Sequence, residues 1–262
     1  MRGRRNYVGL TLVGLVGALA AAGARAQGWI VTVGGRFAAY PPYEGAGHDT
    51  YGPLPKLSIR RADSPDRFEP PDNGNSLALI SGRYIVAGPL VRFRLSRGDT
   101  GKLTGLDKVD FAAEPGVFVE LWPTNWLRGR IEGRHGVFGH DGLVGDAALD
   151  LVHTGKVWSA SIGPRIGYGD ATYFDTYFGV TPAEAARSPF INTPYAPGGG
   201  RRYAGLEVAV GRRFGKRWEA IADIGYHRLA NSAAISPIVE VAGSPDDISA
   251  GVSLTYRFAL FK

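Results

Sequence analysis

The chain of 262 residues has no cysteine and a single methionine, Met1. Without thiols there is no disulfide framework and no cysteine-based zinc or redox centre. Only 21% of the residues are charged and 44% are hydrophobic. That excludes disorder, which needs low hydrophobicity and high net charge. Past the N-terminus no run reaches about 18 apolar residues, so membrane-spanning helices are excluded there. The positive charge is thinner than it looks. Lys and Arg total 30 against 24 Asp and Glu, but Arg2, Arg4, Arg5 and Arg25 lie in the first 26 residues, which hold no acid. The rest of the chain is nearly neutral and lacks the basic footprint of a nucleic-acid binder. The sequence also contains no GxSxG elbow, no HExxH and no P-loop.

What is present begins with the anatomy of a secretory signal peptide. Arg2, Arg4 and Arg5 form a positive start, Val8 to Ala22 an apolar stretch, and Ala24-Arg25-Ala26 a cleavage site before Gln27. Two segments are expected: residues 1–26 as a cleaved signal and residues 27–262 as one outer-membrane domain of a Gram-negative bacterium.

Through that domain runs a period of two. In Ile248–Phe258, Ile248, Ala250, Val252, Leu254, Tyr256 and Phe258 alternate with Ser249, Gly251, Ser253, Thr255 and Arg257. Successive strand side chains point to opposite faces, so this is one amphipathic strand. Trp218, Ala220, Ala222, Ile224 and Tyr226 alternate in the same way with Glu219, Asp223 and His227. Trp158, Ile162, Ile166 and Tyr168 alternate with Ser159, Ser161, Gly163 and Arg165. Aromatics at both ends of an apolar face mark the two interfaces of a bilayer. Strands of about ten residues cross it at barrel tilt, and in hydrocarbon a sheet must close on itself. The fold class is therefore all-β, a closed antiparallel transmembrane β-barrel.

Ten strands are clear, and an eleventh falls at Asn75–Ile80. Bacterial single-chain barrels have even strand numbers, which predicts twelve strands, with ten as the alternative. Eleven antiparallel strands would leave the two chain ends on opposite sides of the membrane. A further strand is expected in Ala62–Asp110 or Asn231–Gly243, whose short apolar runs have room for one. Short periplasmic turns are expected at Pro123–Asn125, His153–Lys156 and Gly215–Arg217. Long extracellular loops are expected at Arg97–Asp110, Gly169–Arg202 and Leu229–Asp246. Thr181-Pro182-Ala183-Glu184 fits a capping box within the second of these loops. Pro55, Pro89, Pro115 and Pro164 lie inside strands, and bulges or bends are expected there.

Several strings are more specific than the alternation. They are Tyr40-Pro41-Pro42-Tyr43-Glu44-Gly45-Ala46-Gly47, Ala87-Gly88-Pro89-Leu90-Val91-Arg92-Phe93, Thr176-Tyr177-Phe178-Gly179-Val180-Thr181, Ser236-Pro237-Ile238-Val239 and Gly251-Val252-Ser253-Leu254-Thr255-Tyr256-Arg257-Phe258. In this order the set resembles the MipA/OmpV family of outer-membrane proteins over about Trp29 to Phe258. The resemblance implies a non-enzymatic scaffold for peptidoglycan synthesis, which brings a murein lytic transglycosylase together with a bifunctional penicillin-binding protein. It also implies contact with outer-membrane lipid and lipopolysaccharide, no cofactor, and no catalytic residues to carry over. OmpV-like members link the family to adhesion through extracellular loops. One departure is the end: Phe258 fits the terminal aromatic of outer-membrane proteins, but Ala259-Leu260-Phe261-Lys262 follow.

Few residues compete for other chemistry. His135 and His140 flank a turn with Asp141, at a spacing that reads as a polar turn rather than a metal site. His227 and Asp223 share a strand face four residues apart, roughly 13 Å along the strand, too far for a hydrogen bond. Arg36, Arg92, Arg94, Arg128, Arg130, Arg134, Arg165 and Arg257 face inward beside Glu114, Glu120, Glu132, Asp146, Asp150, Glu207, Glu219 and Asp223. Such charges are expected either to pair and fill the lumen or to line a small-solute channel.

Overall fold

The computed structural model describes residues 28–260; the expected signal peptide at 1–26 and Phe261 lie outside them. Thirteen strands form: β1 (Trp29–Tyr40), β2 (Thr50–Arg61), β3 (Asn75–Leu77), β4 (Ile80–Ser81), β5 (Ile85–Arg94), β6 (Ala112–Leu121), β7 (Leu127–His135), β8 (Val137–Phe138), β9 (Leu143–Thr154), β10 (Trp158–Gly169), β11 (Gly200–Phe214), β12 (Trp218–Leu229) and β13 (Asp246–Leu260). Eleven of them close a ring in the order β1-β2-β3-β5-β6-β7-β9-β10-β11-β12-β13, with β13 pairing back onto β1. The short β4 pairs only with β5, and β8 only with β6, outside the ring.

The twelve strands expected, and the ten held as the alternative, are thus corrected to eleven, and the parity conflict is resolved by direction. The pair β2–β3 runs parallel, at Ser58↔Ser76 and Ile59↔Leu77, while every other pair in the ring is antiparallel. A parallel pair cannot be joined by a tight turn; it needs a crossover of about a dozen residues. Residues 62–74 supply it, and they return through the inside of the barrel. Phe68 is buried against Trp122, Val152, Ala209 and Ile221. Lys56 donates to the carbonyls of Pro71 and Asn73. Both described ends of the chain therefore lie at the same rim.

The alternation holds around the ring. Outward Val117, Val119, Ile131, Leu149, Ile162, Ile166, Leu206, Val210, Ile224, Val252 and Leu254 are exposed, and their inward neighbours are buried. Trp158 and Tyr168, like Trp218 and Tyr226, stand exposed at opposite ends of one strand. An apolar belt bounded by aromatics, on a sheet that closes on itself, is the exterior of a membrane barrel.

The expected proline bulges do not form: register is continuous through Pro55, Pro89, Pro115 and Pro164. The register shift lies at Gly167/Tyr168. At Gly163–Pro164 the ladder to β9 lapses and resumes in step, so the missing donor is tolerated without an extra residue. Pro55 sits on β2 where, among the described residues, no strand pairs with the side away from β1. Leu57, two residues on, sends its N–H to that side, toward the side chain of Asn75. Pro53 and Pro55 therefore remove two donors that would be orphaned at membrane depth.

The parallel seam is directly testable because the chain is free of cysteine. Mild oxidation of a Ser58→Cys/Ser76→Cys double variant is expected to give a disulfide that closes the 58–76 loop, read by mass spectrometry after proteolysis. A ring with a further antiparallel strand between β2 and β3 would leave both thiols free.

Candidate functional site

The lumen is where the sequence places its chemistry. Period two sends every second side chain of β5, β6, β7, β9 and β10 inward, and many of these are charged. Asp150 accepts from Arg128 at 2.5 Å and from Arg165 at 2.8 Å. Arg165 also reaches Asp72 of the internal segment at 2.7 Å. Glu120 accepts from Arg128 and Arg130, at 2.8 and 2.6 Å. Glu132 gathers Arg92, Arg130 and Arg134, each at 2.7 Å. Elsewhere Arg36 pairs with Asp223, and Asp66 holds Arg213 and Arg257 at 2.8 and 2.7 Å.

Burial decides what this network does. Glu114 and Asp150 are 0% exposed, and Arg128 and Arg202 are 1% exposed. In a water-filled pore these side chains would be wet. Their burial means the lumen between them is packed with protein. Charges can be held so far from water only when each finds an opposite partner and further hydrogen bonds. Glu114 shows the pattern: it pairs with Arg94 and accepts from Arg134 at 3.0 Å, while His140 Nε2 lies 3.0 Å away.

The mouth of the barrel on the long-loop side is closed by those loops. Helices α1 (Ala171–Phe178), α2 (Pro182–Arg187), α3 (Asn231–Ala234) and α4 (Pro237–Ala242) fold over it. Asp170 caps α1 by accepting from the Tyr173 N–H. Thr181 and Glu184 cap α2 reciprocally. The helices sink Tyr173, Phe174, Tyr177 and Phe178 into a cluster with Leu229, Ala233 and Val239. Below it, Glu44 from the β1–β2 loop takes Arg202 and Arg94, and the Tyr173 hydroxyl donates to it at 3.0 Å. Burial alone would raise the Glu44 carboxyl, but the Arg202 and Arg94 guanidiniums hold it below its ordinary value, so it stays ionised.

The histidines part company. His140 is no solvated turn residue, as its spacing implied. It is buried, and its ring meets Tyr173 and Tyr177 edge-on at 5.2 and 5.5 Å. His135 stays exposed and lies 3.4 Å from exposed Asp141. The structure does not bring His227 and Asp223 together: Asp223 is taken by Arg36, and His227 stacks on Tyr203 at 4.4 Å. The residues that sequence reasoning missed are Glu44, Phe68, Asp72, Asn73 and Arg202, which lie in loops, in the internal segment or at a strand end, where no periodicity marks them. The signal that could have found the internal segment is the odd strand count itself, which reads as a missing strand and is satisfied instead by a parallel pair with a crossover.

The two ends differ in charge. The short-turn end, expected to be periplasmic (residues 60–69, 82–84, 122–126, 154–158, 212–219 and 257–260), holds ten Lys and Arg against four acids. The opposite end, with the long loops (41–49, 95–111, 136–142, 170–199 and 230–245), holds ten acids against four Lys and Arg.

A family model described as MltA-interacting protein MipA matches residues 33–258. No curated protein sequence matches the chain. Among solved structures, an outer membrane channel from Pseudomonas putida F1 is 10% identical with a TM-score of 0.41, covering 90% of this chain and 97% of that one. The NanC porin is 8% identical with a TM-score of 0.40, covering 86% and 98%. OmpT, an outer membrane protein of Vibrio cholerae, is 8% identical with a TM-score of 0.34, covering 90% and 99%.

The network predicts a steep contrast between buried and exposed charge. Asp150→Ala removes a buried carboxylate shared by Arg128 and Arg165, which keep only the carboxylates of Glu120 and Asp72, and should cost about 3–5 kcal/mol. Lys108→Ala breaks an exposed 3.5 Å pair with Asp99 and should cost under about 1 kcal/mol. Urea titration of the folded barrel, read by heat-modifiable gel migration, checks both. Equal costs would mean the lumen is hydrated.

Proposed function

Because the chain belongs to the MipA, or MltA-interacting protein, family, we propose that this outer-membrane barrel is a non-enzymatic scaffold. It holds a murein lytic transglycosylase, and with it a bifunctional penicillin-binding protein, at its periplasmic rim. The observation that carries this reading is the packed lumen. A barrel whose inward arginines and carboxylates are dry offers solutes no aqueous route, so its rims and its lipid-facing belt are the surfaces left to work with. The basic periplasmic end supports the choice of rim. Arg83, Lys156, Arg212, Lys216 and Arg217 are exposed there, and clustered positive charge speeds encounter with acidic faces of a partner. Two further parts belong to the same proposal. Residues 1–26 export the chain and are removed before Gln27. Lipid and lipopolysaccharide surround the apolar belt.

The test is cross-linking in cells. A photo-activated side chain at Arg83 or Lys216 is expected to capture a murein lytic transglycosylase, and the same group at exposed Lys108 or Phe190 is expected not to. Consistent absence of murein enzymes from the periplasmic positions overturns the scaffold. Capture of foreign surface proteins from the extracellular positions alone would turn the reading to an adhesin.

A further inference from the structure

A cavity of about 270 Å³ lies at the extracellular end, lined in part by Tyr40, Pro41, Leu54, Phe93, Arg94 and Leu95. It coincides with the place where the barrel wall is incomplete. Above the β2–β3 pairing at Ser58 and Ile59, no strand among the described residues pairs with β2 on that side, and Arg92–Arg94 of β5 pair only with β6. Phe93 points outward and is exposed, whereas its neighbour Arg94 points inward to Glu114 and Glu44. Two adjacent side chains on opposite faces of a sheet line one cavity only where the wall is open beside them. The cavity therefore reaches from the outer leaflet side into the mouth of the lumen.

Its inner lining carries unspent hydrogen-bonding capacity. Tyr177, His227 and Asp247 all contribute to the lining. Each holds a buried polar atom that has no hydrogen-bond partner among the described residues: the Tyr177 hydroxyl, His227 Nε2 and Asp247 Oδ1. Tyr177 is only 2% exposed. Buried polar atoms are nearly always satisfied, and an orphan is costly, so three around one cavity single it out. The other charges there are already matched, because Arg94 is engaged by Glu44 and Glu114, and Glu44 also by Arg202. What is left free is a carboxylate oxygen beside a hydroxyl and an imidazole. Small-molecule sites have this composition, an apolar wall with a few converging polar groups.

We propose that this cavity binds a small amphiphile that enters through the gap between β2 and β5. Its apolar part lies against Pro41, Leu54, Phe93 and Leu95, and its polar end donates a hydrogen bond to the Asp247 carboxylate beside Tyr177 and His227. A hydroxyl and an ammonium share that donor chemistry; a carboxylate lacks it. The site is separate from the periplasmic rim and does not depend on the scaffold reading.

A matched ring series tests the site: benzyl alcohol, benzylamine, benzoate and toluene, titrated against the purified barrel in detergent by ligand-observed NMR. Saturable binding of the alcohol or the amine is expected, at least tenfold tighter than that of benzoate or toluene. Leu54→Trp fills the cavity and should weaken it at least tenfold while heat-modifiable migration stays normal. Asp247→Asn is a milder second variant. A loss larger for benzylamine than for benzyl alcohol assigns the ammonium, and an equal loss assigns the hydroxyl. Binding that is the same for all four probes, or unchanged in both variants, overturns the site and leaves partition into detergent.

Discussion

A closed ring with an odd number of strands cannot alternate direction all the way round. One neighbouring pair must run parallel, and most of this structure follows from that. With eleven strands in the ring, the parallel pair is β2–β3, and its crossover has to pass either outside the barrel or through it. Outside, at membrane depth, bare backbone would meet lipid with its polar groups unpaired. Residues 62–74 take the inner route, where Arg128 bonds the Asn73 side chain and Arg165 bonds Asp72. The seam has a second consequence. The short β3 covers only part of β2, so the wall thins above it, and Pro53 and Pro55 stand where ladder donors would otherwise be stranded.

The crossover and the charges depend on each other. A lumen lined by arginine and carboxylate from neighbouring strands would be wet unless something filled its centre. Phe68 and Asp72 fill it from within, and the loop helices close it from outside with Tyr173 and Tyr177. Once water is excluded, every unpaired charge becomes costly, so Asp150, Glu120 and Glu132 each hold two or more guanidiniums. Sealing the barrel leaves its two rims and its outer wall as the faces that can meet other molecules, and the rims carry opposite charge.

The wall of this barrel was readable in the sequence because its cause is local. Lipid on one side and lumen on the other impose a period of two, and Val117-Phe118-Val119-Glu120 or Leu149-Asp150-Leu151 show it without any knowledge of the neighbours. The partners of the inward charges were not readable, because pairing Arg36 with Asp223 joins residues 187 apart in the chain. The strand number failed for a related reason. Parity is a property of the whole ring: the eleventh strand at Asn75–Ile80 is counted, but nothing local shows that β3 runs parallel to β2, so the even-number rule overrides the count. Glu44 and His140 lie in loops that look solvated, and tertiary packing alone turns them into buried anchors. The prolines misled because a missing donor can face a lapse in the ladder, as at Pro164, or an unpaired edge, as at Pro55, and then needs no bulge.

The most direct test of the sealed lumen is electrical. The purified barrel, reconstituted in a planar bilayer and held at voltages of either sign, should show no steady conductance, because no continuous column of water runs past Asp150 and Arg128. Stable, reproducible single-channel openings of the unmodified protein would contradict this account. They would mean that residues 62–74 leave the lumen in a membrane, and that the paired arginines line a pore.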